Sequence, residues 1–198
     1  MATRERLVLS ATEQDRPGLV AELSGFIAAH GCNIDDSRVI VLGGFAGLMF
    51  LISGTSSQVA EVERGVAALE RDTGLRATVR RLPENTAVTP QVQRPPTWVV
   101  TASAMDHEGI IHAITDVVRA NGGNILELET STESAPMSGS PLFALRMAIT
   151  LAERHGSAAR LKDALETLAR AEAIDLEIGD TADNRQAPDN REALRLGK

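Results

Sequence analysis

The sequence predicts an α+β protein built of two βαββαβ modules, each a four-stranded antiparallel sheet with two helices on one face. Three observations predict it. Residues 15–34, DRPGLVAELSGFIAAHGCNI, recur 91 residues later as residues 106–125, DHEGIIHAITDVVRANGGNI, with Asp, Gly, Gly, Asn and Ile in register at 15/106, 18/109, 31/122, 33/124 and 34/125. Apolar residues keep a helical period inside each copy: Leu19, Val20, Leu23, Phe26 and Ile27 match Ile110, Ile111, Ile114, Val117 and Val118. The segments around these helices are alternating or β-branched, as strands are. A repeat that long denotes two copies of one module and not a solenoid, whose units are shorter.

Taken in order, residues 6–11 (RLVLSA) predict a strand and TEQD, at 12–15, a turn. Pro17 suits the first helical position, where its missing N–H costs nothing, and Asp15 can accept bonds from the orphan N–H groups. Gly31 stands where a left-handed residue closes a helix. Residues 33–42 predict the second strand, Gly43-Gly44 a tight turn and residues 45–53 the third strand. Val59, Val62, Val66 and Leu69 line a second helix that stops at Gly74. Leu75, Ala77 and Val79 then alternate with Arg76, Thr78 and Arg80 in a half-buried last strand.

The second module opens on Trp98, Val100 and Ala102, and its helix and glycine stop follow as before. A longer loop, predicted at 132–141, replaces the tight glycine turn of the hairpin. Phe143, Leu145, Met147 and Ile149 alternate with smaller or polar residues, Leu161, Leu165 and Leu168 mark the last helix, and Ile174, Leu176 and Ile178 the last strand. The predicted organisation is therefore module one at 1–82, a proline-rich linker at 83–96, module two at 97–179, and a polar, disordered tail at 180–198. The strand–helix order is that of the ferredoxin-like fold.

Composition excludes several classes of function. The chain has 198 residues and a net charge of −7, without the basic face that direct nucleic-acid binding needs. Cys32 is the single cysteine, so no internal disulfide forms and no zinc site can rest on thiolates. His107 and His112, five apart, do not share a helix face as metal ligands would, and His30 and His155 read as solvated helix-end residues. The most apolar stretch, residues 39–52, is broken by three glycines and too short to span a bilayer. The N-terminus lacks the apolar core of a signal peptide, so a cytoplasmic protein is expected. No glycine-rich phosphate motif and no nucleophile with a base and an orienter is present, so neither metal, cofactor nor catalytic residues are expected.

The repeated stretch has a chemistry of its own. Gly18 lets a ligand approach the backbone, and the N–H groups of the first helical turn attract an anion. Asp15 can pair with an ammonium, and the Asn33 amide can donate or accept. Two readings stand for these residues: a site for a zwitterion, or a cap, a packing glycine and an ordered turn. Under the first, a bulky residue at 18 should harm binding more than folding. In the second copy DHEG replaces DRPG, and Glu108 beside the anion site weakens carboxylate binding there.

The strand, the DRPG turn at 15–18, the helix and the GCNI segment at 31–34 resemble an ACT domain, a small ferredoxin-like module that binds amino acids, usually between two copies. Two such modules without a catalytic domain resemble the glycine cleavage system transcriptional repressor family. That resemblance implies a non-enzymatic sensor of a small amino acid, glycine or serine first. Its ligand-binding residues would be Asp15, Arg16, Pro17, Gly18, Leu19, Asn33 and Ile34. A second, weaker set would be Asp106, Gly109, Ile110, Asn124 and Ile125. Control of gene expression would then run through a partner protein, and a homo-oligomer without membrane contact is expected. The competing reading is a ligand-free protein–protein interaction module with exposed sheet edges. The N-terminal stretch also resembles the ACT module of formyltetrahydrofolate deformylase, but a second ACT module occupies the place of its catalytic domain and no enzymatic activity is expected.

Overall fold

A computed structural model describes residues 4–83, 97–134, 139–151 and 157–180. The chain divides into two units, Met1–Val88 and Thr89–Lys198. The first runs β1 (Glu5–Gln14), α1 (Leu19–Ala29), β2 (Asn33–Leu42), β3 (Phe45–Gly54), α2 (Ser56–Thr73) and β4 (Arg76–Arg81). The second runs β5 (Thr97–Met105), α3 (Ile110–Ala120), β6 (Gly123–Ser134), β7 (Pro141–Leu151), α4 (Ser157–Glu172) and β8 (Asp175–Asp180). Strand orders are β2-β3-β1-β4 and β6-β7-β5-β8, with every pairing antiparallel. Both units are ferredoxin-like α+β, as the sequence predicts.

Alternation builds the first core. Leu7 and Leu9 of β1 and Leu48, Phe50 and Ile52 of β3 point to the helix side and are buried, as are Leu23 and Ile27 of α1 and Val59 and Val62 of α2. The second core repeats this with Val100, Leu145, Met147, Ile114, Leu161 and Leu165. The helices approach closely in the first unit because Gly65 has no side chain. A Cβ there would lie 3.0 Å from the Phe26 ring and 3.1 Å from His30 Nε2. Helix α2 starts in a full capping box, with Thr55 accepting from the Gln58 N–H and the Gln58 side chain accepting from the Thr55 N–H. It ends at Gly74, with φ 81°. Gly43 and Gly44, with φ 58° and 82°, make the tight hairpin turn whose twist suits paired strands.

Several local expectations are corrected. TEQD is not a turn: β1 continues to Gln14 because β3 pairs with it as far as Phe45. Pro17 and Asp15 do not start helix α1. Its N-cap is Gly18, at φ 101°, and no side chain caps it. The hairpin loop of the second unit starts after Ser134, since Thr132 and Glu133 still pair with Phe143 and Leu142. His30 is not freely solvated; its Nδ1 lies 2.8 Å from the Phe26 carbonyl and its ring 4.5 Å from that of Phe26. Arg81 pairs with Glu5 at 2.6 Å and Glu63 at 2.8 Å and ties β4 to β1 and α2. The expectations for the linker beyond Pro83, for His155 and for the tail beyond Asp180 lie outside the described residues.

Candidate functional site

The DRPG turn leaves the C-terminal end of β1 and crosses to α1. Asp15 is anchored there by its backbone, whose N–H donates to the Gly44 carbonyl at 2.9 Å. The hairpin turn and the DRPG turn thus lie side by side. Gly18 follows in the left-handed region, which L side chains rarely adopt, and hands the chain to α1. The first-turn N–H groups have no intrahelical partners by geometry, and no side chain makes a capping hydrogen bond to them, although Glu22, held by Arg16, lies in the same turn. Capped α2 is the contrast.

These groups border an open concavity of ≈ 420 Å³. The turn contributes Asp15, Arg16 and Gly18, the helix Leu19, Val20 and Ala21, and the sheet Val39, Ala46 and Leu48. Its lining is mostly apolar and includes the residues of the first turn of α1. The Asp15 carboxylate is exposed and makes no hydrogen bond or ion pair among the described residues. Arg16 lines the concavity, but its charge is already engaged. Its guanidinium makes two hydrogen bonds to the Glu22 carboxylate, at 2.6 and 2.7 Å, and a third to the Thr73 carbonyl at 2.9 Å. It straps the start of α1 to the end of α2.

That strap holds the Glu22 carboxyl below its ordinary value, chiefly through the Arg16 hydrogen bonds. A carboxyl depressed in the folded state adds stability above its unfolded pKa and loses it as pH falls through the folded value. The melting-temperature gap between wild type and Glu22→Gln should therefore be widest near neutrality and close below the ordinary carboxylate range. A gap that is constant with pH would show that the pair does not act through its charge.

Asn33 and Ile34 are not brought to this turn. Asn33 pairs with Ser53, which pairs with Arg6 near the start of β1, whereas Asp15 follows the end of β1. The length of α1, about 16 Å for its eleven residues, separates the two groups. Pro17 is exposed in the turn and does not line the concavity. The second unit divides in the same way: Asp106, Gly109 and Ile110 share the turn before α3, while Asn124 and Ile125 pair with Thr150 and Ile149 at the other end. There the Asp106 carboxylate accepts from Thr132 at 3.3 Å, and Gly109, at φ 88°, again caps without a side chain.

Val20, Ala21, Val39, Ala46 and Leu48 were not anticipated as lining residues. The signal was present: a two-residue turn at Gly43-Gly44 pairs Leu42 with Phe45 and therefore Val39 with Leu48. Among the described residues no group of three or more His, Cys, Asp or Glu could hold a metal ion, and no helix is long and apolar enough to cross a membrane. Cys32 packs against the first core, and burial raises its thiol pKa.

Residues 5–80 match the family model of the ACT domain. The first unit is an ACT domain. The second unit shares the fold and strand order of that ACT domain. The glycine cleavage system transcriptional repressor of Escherichia coli K12 is 27% identical over 135 residues, covering 68% of this chain and 69% of that protein. The protein of the same name from Shigella flexneri matches to the same extent. A solved structure of an unknown protein from Galdieria sulphuraria has a TM-score of 0.74 at 26% identity, over 90% of this chain and 99% of that one. Another, described as a candidate glycine cleavage system transcriptional repressor, has a TM-score of 0.68 at 22% identity, over 89% and 97% of the two chains, and supports the fold.

Proposed function

We propose that this chain is a non-enzymatic regulatory protein whose first ACT domain senses a small amino acid, glycine or serine, and relays that binding to gene expression or a partner protein. The similarity to glycine cleavage system repressors supports a place in glycine cleavage and related one-carbon metabolism. The observation that carries the reading is the uncapped start of α1, opening on a concavity with a mostly apolar lining. A carboxylate is stabilised by the free N–H groups and the helix dipole. Asp15 offers its carboxylate to an ammonium. The negative net charge favours relay through another protein over direct contact with nucleic acid.

Asn33 and Ile34 complete this site from a second copy. Strand β2 is an edge of its sheet and exposed along all ten residues, with Ile40 63% and Leu42 77% exposed. Two such strands pairing antiparallel about a two-fold axis set the Leu42 end of one, beside its DRPG turn, against the Asn33 end of the other. The pairing also satisfies unpaired backbone groups and covers apolar surface. In the second unit, Glu108 and the engaged Asp106 make a weaker site.

A thermal-shift screen against the twenty amino acids tests the reading. A ligand that binds only the folded protein raises the melting temperature once its concentration exceeds its dissociation constant. The expected result is a selective shift, absent in Asn33→Ala. The same exposed β2 would serve a ligand-free interaction module. No shift at millimolar concentration with any amino acid would favour that second reading.

A further inference from the structure

Strand β2 breaks register with β3 at one residue. Asn33 and Ile34 face Ser53 and Ile52, Asp36 faces Leu51, and Asp35 is left as the extra residue of a β-bulge. Its carboxylate gathers a small network. Ser53, which is 4% exposed, donates its hydroxyl to Asp35 Oδ1 at 2.8 Å. Asn33 Nδ2 donates to the same oxygen at 2.9 Å, and Arg6 Nε lies 3.7 Å from Oδ2. Asn33 Nδ2 also donates to the Ile34 carbonyl at 3.2 Å.

Both partners of that amide nitrogen are acceptors. A flipped amide would set its oxygen against a carboxylate and a carbonyl, so one orientation alone is satisfied. The donors of Asn33 are thereby consumed, and its Oδ1 has no partner among the described residues. We infer that Asp35 is a positioning residue: it presents Asn33 as an acceptor, so that the Asn33 end of the site reads the ligand's ammonium and not its carboxylate. This rests on the binding reading above and gives the ligand a direction, carboxylate toward the N–H groups of α1 and ammonium toward Asn33 and the Asp15 carboxylate. The second unit shows the alternative. Its bulge lies between Ile125 and Glu127, so its extra residue is Leu126, which cannot orient Asn124.

Titration calorimetry on the full chain tests this with glycine and L-serine against acetate and 3-hydroxypropionate, their counterparts without the ammonium. The wild type should prefer the amino acids. In Asp35→Leu that preference should fall by about tenfold, the scale of one charge-assisted hydrogen bond, with the affinity for acetate and 3-hydroxypropionate unchanged. Asp35→Asn should lie between, because its amide oxygen still accepts from Asn33. In ligand-free protein, the two Asn33 side-chain N–H signals should be protected from exchange in wild type and unprotected in Asp35→Leu. Loss of affinity for all four compounds together, or an unchanged preference, would overturn the inference while the binding reading stands. Wild-type protein that binds none of the four overturns the binding reading and the ammonium assignment with it.

Discussion

Truncating Leu23 to alanine is expected to destabilise the first unit by about 3 kcal/mol, within the range of roughly 2–5 kcal/mol found for large-to-small changes in packed cores. Leu23 is fully buried on the inner face of α1, packed in the cluster that includes Leu9, Ile27, Leu48 and Val62. The cluster draws on β1, β3, α1 and α2 together, so the hole cannot close without moving an element. Against the roughly 5–15 kcal/mol stability of ordinary domains, this is a large fraction of the total. Chemical denaturation should show a lower midpoint with an unchanged slope. A midpoint within error of wild type would mean that the cluster relaxes around the lost side chain.

Replacing Gly18 by valine should act on both stability and binding. At φ 101° a β-branched residue is an outlier, and strain of this kind costs on the order of 1–3 kcal/mol. Crowding is not the cause, since the nearest atom to a Cβ there is Glu22 Oε1 at 3.6 Å. The positive φ therefore amends the expectation that bulk at 18 would harm binding more than folding. Gly109→Val supplies the matched comparison, with φ 88° and nothing within 4 Å of its Cβ. The two variants should lose similar stability. Calorimetry well below their melting temperatures should find amino-acid affinity abolished in Gly18→Val and kept in Gly109→Val. Equal affinities in the two would remove Gly18 from the site.

Much of the fold was legible because local rules agreed with the global ones. The Gly43-Gly44 turn set the bounds of β2 and the start of β3, and Gly74 marked the end of α2, all of which the structure reproduces. The misses have a common origin in tertiary context. Glu13 and Gln14 look like turn residues, yet they lie on a central strand whose neighbour β3 extends the pairing past them. Pro17 and Asp15 carry helix-start signals, yet the backbone turns at Gly18 and the helix begins one residue later. Asn33 was grouped with Asp15 because the same stretch carries both. Asp15 precedes α1 and Asn33 follows it, so the length of the helix alone places them at opposite ends. Asp35 was invisible because a bulge is a property of two strands and cannot be seen in one.

The strand order has a consequence for synthesis. Strand β1 is the first of its unit to leave the ribosome, yet it lies in the interior of the sheet between β3 and β4. Its partner Arg81 stands at the far end of the unit, across from Leu7. A nascent chain can close the β2–β3 hairpin early, but neither edge of β1 is occupied until residues from 45 onward have emerged, and the second edge waits for residues 76–81. The second unit repeats this, with β5 waiting for β7 and then for β8 at 175–180. The first sheet can therefore be complete while the second is still being translated, and each unit folds in its own interval of elongation.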